Sequence, residues 1–361
     1  MSDRLFGRDA TGRLSRRSLL LTLPATLAAT YARAQATRSM LKARALNHFT
    51  LAVADPKRSL EFYQALLGMP IQARQGATPV LRIGAGPQFL ALSAAGSNPP
   101  SISHMCLTVE DFSVDRILRV LGEHGITRAE GQGGGLSGGP MKVRVRQRGP
   151  ESGGAKEGTP EIYFGDPDGI VVQLQDPRYC GGAGVLGDIC AAPEAAPRKG
   201  LLEVQDISHF TTSVSDAARS NAFYQALFGL PIRSYQGPTA PTLGIGKVGF
   251  LMYNGGGGAG RAGAPPAPPR QAAINHVCLG LERFDTDRIA KVLESFGIKP
   301  RPANTPTAPL QWYISMRMEN RGGAKEGTPE FYFTDPDGLV IQLQDVSYCG
   351  GGGVLGNICI A

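Results

Sequence analysis

The residues with the clearest capacity for chemistry are histidines that recur in equivalent strand-like segments. Four of the five histidines in the chain are placed in this way: His48, His104, His209 and His276. Imidazole acts as a general base or as a metal ligand near neutral pH. A single histidine on a strand is usually structural, and these four can be relics of a duplication that bind no metal. Their repetition nevertheless favours a shared role, and metal binding is the hypothesis carried forward.

A second repeated feature is a block that contains a lysine, a glutamate and, just beyond it, a tyrosine. Residues 153–161 are identical to residues 322–330, which lie 169 positions later. Each block continues through Tyr163 or Tyr332 into an Asp-Pro-Asp-Gly segment and a last apolar strand. A period of this length indicates a duplicated domain rather than a solenoid repeat.

The elements around these residues follow one plan. Residues 46–53 alternate with period two, which places His48 on the face opposite Phe49. A helix follows, capped at Asp55 and ended at Gly68, and short strands come next. The plan restarts at three further strands that each carry a histidine: His104, His209 and His276. The unit of strand, helix and several strands, used four times, predicts an α+β protein.

The chain has paired modules, a histidine near the start of each first strand and an Asp-Pro-Asp-Gly turn before each last strand. In these features it resembles the vicinal oxygen chelate superfamily. That superfamily includes glyoxalase I, extradiol dioxygenases and bleomycin-resistance proteins. The resemblance covers nearly all of residues 46–176 and 207–345. It implies two tandem domains, each with paired βαβββ modules that form a cupped mixed sheet. The predicted domains are residues 45–190 and 201–361, joined by a linker at residues 191–200.

The resemblance also implies a metal site in each domain. In similar proteins the ligands come from the opening strand of each module and from the last strand. By position these ligands are His48, His104 and Gln173 in the first domain, and His209, His276 and Gln342 in the second. Similar proteins most often have glutamate where both copies have glutamine. The amide removes a negative charge and weakens the affinity for a hard cation, although its oxygen still ligates. Fe²⁺ is the first expectation, with Zn²⁺ or Mn²⁺ as alternatives.

The repeated block is similar to the signature of extradiol dioxygenases, with a substitution. The tyrosine and the turn match, while Lys156 and Lys325 replace the histidine of that signature. The resemblance implies that Tyr163 and Tyr332 steady a substrate by hydrogen bonding. Each lysine would then shuttle a proton or hold an anionic group. The alternative is that each lysine forms a solvated charge pair with the glutamate that follows it.

Two further carboxylates, Glu161 and Glu330, precede the tyrosines by two residues and therefore share their face of the strand. Each glutamate has one of two interpretations. It is functional, as the missing acidic ligand or as a base, or it is a solvated residue at the start of a strand.

The cysteines divide into two groups. Two pairs flank Gly-rich spans, which favours a local disulfide in each copy in an oxidising compartment: Cys180–Cys190 and Cys349–Cys359. Cys106 and Cys278 each follow a histidine by two residues and share its face. They are predicted to be free, either as small buried side chains or as thiols that line the site.

The first 36 residues are typical of an export signal. Arg16 and Arg17 precede an apolar run at residues 19–29, and residues 34–36 are suited to cleavage. The run is too short for a retained membrane span, so no stable membrane anchor is predicted. The segment is similar to a twin-arginine signal, with an ordinary secretory signal as the alternative. Either signal predicts a periplasmic or secreted protein.

The net charge of the chain is concentrated in the same first 36 residues. They carry six arginines and two aspartates, which accounts for +4 of the net charge of +7. The remaining +3 argues against nucleic-acid binding.

Two functions remain open from the sequence. The first is an exported metal-dependent enzyme, a dioxygenase or a lyase or isomerase, that acts on a small oxygen-bearing substrate of anionic or aromatic type. The second is a metal-free small-molecule binding protein of the bleomycin-resistance type, in which the two glutamines mark the loss of the metal. A structural role for the cysteine-bearing tails is a third idea. The sequence predicts neither the substrate nor the oligomeric state.

Overall fold

The structure, a computed structural model, describes residues 40–255 and 271–360. The predicted export signal lies outside the described residues. The described part of the chain forms two nine-stranded mixed sheets and four α-helices. This α+β architecture of two tandem domains confirms the predicted fold.

The described strands are divided equally between the two sheets. The first sheet contains β1 Ala43–Val53, β2 Ile71–Gln75, β3 Thr78–Arg82, β4 Phe89–Ala94, β5 Ser101–Val109, β6 Thr127–Arg128, β7 Lys142–Arg148, β8 Thr159–Gly165 and β9 Val171–Gln175. The second contains β10 Val204–Val214, β11 Ile232–Tyr235, β12 Pro241–Ile245, β13 Gly249–Gly255, β14 Ala273–Leu281, β15 Lys299–Pro300, β16 Gln311–Arg317, β17 Thr328–Thr334 and β18 Val340–Asp345.

The order of strands in the first sheet is β2-β3-β4-β1-β5-β9-β8-β7-β6, and the second sheet repeats this order with its own strands. Strand β1 pairs in parallel with β4 and antiparallel with β5. The opening strands of the two modules are therefore neighbours at the centre of one sheet. This pairing is what brings the two histidines of each domain together.

Four helices connect the strands within the described residues: α1 Pro56–Leu67, α2 Val114–Glu123, α3 Ala217–Phe228 and α4 Thr286–Ser295. The predicted cap of α1 is confirmed, because the Asp55 carboxylate accepts from the backbone N–H groups of Lys57 and Arg58. The helix ends at Gly68, whose φ of 64° is left-handed and favours glycine.

One apolar core serves both sheets. The faces opposite the histidines turn towards each other, so that Phe49 of β1 lies 6.1 Å from Phe210 of β10 between ring centroids. Both rings are fully buried. Burying one such side chain contributes about 1.5–3 kcal/mol to folding. The two domains therefore share the core on which their stability depends.

Polar contacts between the domains occur in reciprocal pairs. The Tyr63 hydroxyl of α1 donates to Asp335 at 3.1 Å, and the Tyr224 hydroxyl of α3 donates to Asp166 at 3.3 Å. Asp166 and Asp335 are the first aspartates of the two Asp-Pro-Asp-Gly turns. The second aspartates pair with arginines of the opposite helix: Asp337 with Arg58, and Asp168 with Arg219. Each turn therefore anchors the first helix of the other domain.

The predicted disulfides are confirmed. Cys180 bonds to Cys190 and Cys349 to Cys359, while the thiols of Cys106 and Cys278 are free and buried. Among the helices within the described ranges, none is long and apolar enough to cross a membrane.

Candidate functional site

The candidate site of the first domain begins with a row of side chains that crosses four strands. The strand register places His48 beside Cys106, Cys106 beside Gln173, and Gln173 beside Tyr163. Residues paired across adjacent strands project to the same side of a sheet. We call this side, which carries His48, Cys106, Gln173 and Tyr163, the histidine face. The second sheet has an equivalent histidine face with His209, Cys278, Gln342 and Tyr332.

The second histidine of each domain joins this row. The ring centroids of His48 and His104 are 5.6 Å apart, and His104 lies 5.4 Å from Tyr163. In the second domain the corresponding centroid distances are 5.5 Å for His209 and His276 and 5.4 Å for His276 and Tyr332. The structure thus brings the predicted histidine, glutamine and tyrosine residues into one cluster in each domain.

The tautomer of His48 follows from its neighbour. The Asn47 side-chain N–H donates to the Tyr179 carbonyl at 2.9 Å, which turns the Asn47 amide oxygen towards His48 Nδ1 at 2.8 Å. His48 therefore donates from Nδ1 and keeps a lone pair on Nε2. A hydrogen bond to the distal nitrogen is the usual way in which a protein orients a ligating imidazole.

The Gln173 side chain presents a second hydrogen-bond acceptor to His48 Nε2. Its Oε1 lies 2.9 Å from His48 Nε2, and its buried Nε2 has no hydrogen-bond partner among the described residues. Two acceptors at this distance need a donor or a cation. Turning the amide by 180° would supply a donor. A cation held by both atoms would also satisfy them, since neighbouring ligands with bonds of about 2.1 Å lie about 3 Å apart.

Burial keeps the histidines uncharged. It lowers the pKa of His104 to about 4, and the hydrogen bond to Gln173 only partly offsets this effect. Burial also lowers the pKa of His48 well below its usual value, and the proximity of His104 lowers it further. Both rings are therefore neutral at pH 7, which is the form that binds metals.

The second domain repeats this arrangement with more unpaired atoms. Asn275 accepts at 2.8 Å from His276 Nδ1, and His276 Nε2 is buried with no partner among the described residues. Gln342 Oε1 lies 3.1 Å from His209 Nε2, and the amide nitrogen of Gln342 is likewise unpaired there. Buried polar atoms without partners are rare in folded proteins and commonly mark a site for an ion or water.

The donor set fits a divalent cation in the type of its atoms. Imidazole nitrogens suit iron, zinc and manganese, and an amide oxygen completes the set, although a carboxylate binds such ions more strongly. Within residues 40–255 and 271–360, no three His, Cys, Asp or Glu side chains group as metal ligands. The third protein ligand in each domain would therefore be the glutamine.

Glu161 is occupied in other contacts. Its Oε1 accepts from Arg148 Nε at 2.7 Å and from the Tyr179 hydroxyl at 2.8 Å, while its Oε2 accepts from the Tyr163 hydroxyl at 3.0 Å. The carboxylate is only 7% exposed, so the expectation of a solvated strand-start residue is wrong. Glu330 forms the same contacts with Arg317, Tyr348 and Tyr332. The geometry assigns both glutamates to holding an arginine and two tyrosines.

The lysines of the repeated block lie elsewhere. Lys156 and Lys325 are exposed in the turn before β8 and β17. No hydrogen bond or ion pair in the described ranges joins either side chain to the histidine face. The expectation that each lysine shuttles a proton or holds an anionic group at the site is therefore not supported, because the turn leaves the side chain exposed to solvent.

The histidine face also contains aromatic residues that the sequence did not single out. The Phe89 ring stacks on His48 at 4.2 Å, and the Tyr179 ring lies 5.6 Å from His48. Phe250 and Tyr348 take these places in the second domain. The available signal was the repetition itself, since a tyrosine precedes the first disulfide cysteine in both copies.

Tyr179 brings the disulfide tail, which we define as residues 180–190, against the histidine face. The Gly182 carbonyl accepts from Arg148 Nη2 at 2.9 Å, and the Gly184 carbonyl accepts from the Thr159 hydroxyl at 2.7 Å. Together with Tyr179, the tail covers part of the histidine face, where His48 is 3% exposed and His104 5%.

Cys106 is a buried thiol rather than a reactive one. Burial raises its pKa well above the usual value, and the nearby Glu161 charge acts in the same direction. A protonated buried thiol is a poor nucleophile and a poor metal ligand.

The comparison with protein families gives one match that covers most of the chain. The family described as "Glyoxalase/Bleomycin resistance protein/Dioxygenase superfamily" matches residues 45–174 and 206–343. No protein of curated function matches the sequence.

Solved structures of similar fold are distant in sequence. The Mn(II)-bound glyoxalase from Novosphingobium aromaticivorans is 16% identical with a TM-score of 0.53, over 84% of this chain and 82% of that one. A variant of homoprotocatechuate 2,3-dioxygenase from B. fuscum is 15% identical with a TM-score of 0.55, over 86% and 74% of the two chains. The 2,3-dioxygenase LapB from Pseudomonas sp. KL28 is 13% identical with a TM-score of 0.54, over 84% and 93%. At these identities the likeness concerns the fold.

Proposed function

Because the chain belongs to the glyoxalase, bleomycin resistance protein and dioxygenase superfamily, we propose that it is a metal-dependent enzyme of the vicinal oxygen chelate type. It would have one equivalent site in each domain. The observation that carries the proposal is the convergence, in both copies, of two neutral histidines and a glutamine, in which the glutamine oxygen faces the Nε2 atom of the first histidine. His48, His104 and Gln173 would hold the ion in the first domain, and His209, His276 and Gln342 in the second.

The ion, Fe²⁺ or alternatively Mn²⁺ or Zn²⁺, would polarise and orient the oxygens of a bound substrate. The substrate class follows from charge. Two neutral imidazoles and a neutral amide leave a divalent charge uncompensated, which favours a small oxygen-bearing anion such as a catecholate or an enediolate. The Phe89 and Tyr179 rings beside His48 are suited to contact an aromatic or planar group.

Tyr163 and Tyr332 are the residues proposed to hold a proton at the site. Burial raises the pKa of Tyr163 well above its usual value, and the Glu161 charge raises it further, so the hydroxyl stays protonated. It is therefore a hydrogen-bond donor that can turn from Glu161 to a substrate oxygen. Arg148 and Glu161 position this hydroxyl. Lys156 and Lys325 have no part in the proposal, because they are exposed.

Export is also proposed. Two disulfides within short Gly-rich spans are typical of proteins that fold in an oxidising compartment. This agrees with the export signal predicted from residues 1–36, and a periplasmic or secreted location remains our expectation.

The test is the amount of metal bound per chain. Chelator-treated protein is reconstituted without oxygen in Fe²⁺, Mn²⁺ or Zn²⁺, desalted and analysed by mass spectrometry. We expect two ions per chain in the wild type and one in the His48→Ala/His104→Ala variant. The matched His209→Ala/His276→Ala variant should also retain one, so that each domain is the control for the other.

A second candidate is a metal-free small-molecule binding protein. It is favoured by the glutamine at the third ligand position and by the tail that covers part of the histidine face. A wild-type protein that binds none of the three ions would rule out the enzyme and leave this candidate. Stabilisation of the chelator-treated protein by small aromatic anions would then support it.

A further inference from the structure

The two domains differ at one edge of their sheets. A cavity of about 660 Å³ opens there between β6, β7 and the loop that joins them. Its lining contains three arginines, Arg128, Arg144 and Arg146, and no aspartate or glutamate. This volume lies in the range of small-molecule sites. Three guanidinium groups around one cavity without a carboxylate form a strongly positive environment.

The register of β7 connects this cavity with the histidine face. Arg144 pairs with Tyr163 and Arg146 with Glu161, so both arginines project to the side of the sheet that carries the histidines. The two arginines therefore lie beside Tyr163 and Glu161, whose side chains are joined by a hydrogen bond of 3.0 Å on the histidine face.

The three arginines differ in the hydrogen bonds that their side chains already form. Arg144 donates to the carbonyls of the β6–β7 loop, including Gly131 at 2.9 Å and Gly135 at 3.0 Å, and thereby fixes the wall of the cavity. The side chains of Arg146 and Arg128 are exposed and form no ion pair or hydrogen bond within the described part of the chain. Their guanidinium groups therefore retain a full set of donors. A guanidinium group matches carboxylate and phosphate groups through paired hydrogen bonds.

The second domain provides the comparison within the same chain. At the positions of Arg144 and Arg146, strand β16 has Tyr313 and Ser315, which pair with Tyr332 and Glu330. The Tyr313 ring stacks on Tyr332 at 4.9 Å, and the Arg301 guanidinium lies 3.8 Å from the Tyr313 ring centroid. The second domain therefore has an aromatic ring and a hydroxyl at the positions where the first has two guanidinium groups.

We propose that the cavity at the β6–β7 edge is an oxyanion subsite of the first domain. It binds the carboxylate or phosphate group of a small ligand through Arg146 and Arg128. Arg144 shapes the loop that closes it. The second domain lacks the subsite, so the two domains take ligands of different charge. The subsite does not depend on the metal of the proposed function, because none of its donors is a candidate metal ligand.

The experiment measures anion binding by calorimetry at low salt, where exposed charges are least screened. Inorganic phosphate and succinate are titrated separately into chelator-treated wild-type protein, which shows whether the subsite prefers phosphate or carboxylate. We expect the preferred anion to bind at least about tenfold more weakly to Arg146→Ser, which introduces the residue of the second domain. Arg146→Lys keeps the charge but not the paired donors, and should lie between the two.

The matched control is Arg198→Ser, which removes the same charge from an exposed linker position and should bind the anion as the wild type does. Thermal unfolding checks that Arg146→Ser remains folded. Equal affinity in the wild type and in Arg146→Ser would overturn the proposal, and so would a wild type that binds neither anion. Binding that requires added Fe²⁺ and survives Arg146→Ser would place the anion on the metal. That result would overturn the subsite and leave the proposed function standing.

Discussion

At the scale of single residues, Glu161 joins three side chains through hydrogen bonds. One carboxylate, almost fully buried, accepts from Arg148 on β7, from Tyr163 on its own strand and from Tyr179 beside the disulfide tail. A buried arginine is tolerated only when its charge is compensated and its donors are used. Glu161 therefore holds together three parts of the first domain that meet at the histidine face.

We expect Glu161→Gln to lower the free energy of unfolding by about 3 kcal/mol or more, because Arg148 is left as a buried charge without a counter-charge. Urea denaturation measures the change. Glu330→Gln should have a similar effect, since Arg317 is even more deeply buried. Glu157→Gln is the control, because the side chain is exposed and its loss should cost less than about 0.5 kcal/mol. Equal stability of Glu161→Gln and Glu157→Gln would contradict this account.

Among the elements, the disulfide tail has a role beyond closing a loop. The Cys180–Cys190 bond spans ten residues, and the backbone carbonyls of Gly182 and Gly184 accept from Arg148 and Thr159. The tail thereby fixes the segment that begins with Tyr179. Its conformation and the order of the histidine face are linked through these hydrogen bonds.

Removing this bond with Cys180→Ala/Cys190→Ala should lower the free energy of unfolding by about 2–3 kcal/mol, the usual effect of opening a loop of this length. Denaturation with and without reductant measures it. Reductant opens both this bond and the Cys349–Cys359 bond, so it should destabilise the wild type by about twice that amount. A variant that lacks all four of these cysteines should not respond to reductant. A response in that variant would show that the stabilisation has another source.

The sequence predicted the elements better than the contacts between them. Alternation in β1 placed His48 opposite Phe49 because a period of two is a local property, while its meeting with His104 was implied by the family resemblance. The roles of Arg148 and Tyr179 were missed because they depend on a tail that folds back from elsewhere in the sequence. Lys156 was misplaced for a related reason, since neighbours in sequence do not determine whether a turn points into the sheet or into solvent. The repeat identified the site residues, but only the tertiary structure shows which of them are already engaged.

At the scale of the whole molecule, the reciprocal contacts of Asp166 and Asp335 make the interface between the domains sensitive to pH. Burial raises the pKa of each carboxyl to about 6, and hydrogen bonds from backbone N–H groups only partly offset this effect. In an unfolded chain the same groups titrate near 3.8. Between these two values the folded state binds more protons than the unfolded state. The contribution of each aspartate to stability therefore falls as the pH rises through 6.

The Asp166→Asn variant isolates this contribution from other titrating groups. Its amide oxygen can still accept from the backbone N–H groups of Asp168 and Ile170. Relative to this variant, the wild type should lose about 1 kcal/mol of stability between pH 5 and pH 7. Denaturation of both proteins at pH 5 and pH 7 gives this change in the stability difference. Asp335→Asn should show a change of the same size. A stability difference that does not change with pH would show that the carboxyl is already ionised at pH 5.

The exchange of contacts between the two helices and the two turns has a consequence for the origin of the chain. When residue i of one unit meets residue j of the other, and j meets i, the interface is isologous, as in a dimer with twofold symmetry. Tyr63 with Asp335 and Tyr224 with Asp166 satisfy this relation. One copy alone would expose the core face around Phe49 and would have to bury it against a second chain. The duplication places both halves of such an interface in one chain, and it frees the two sites to diverge.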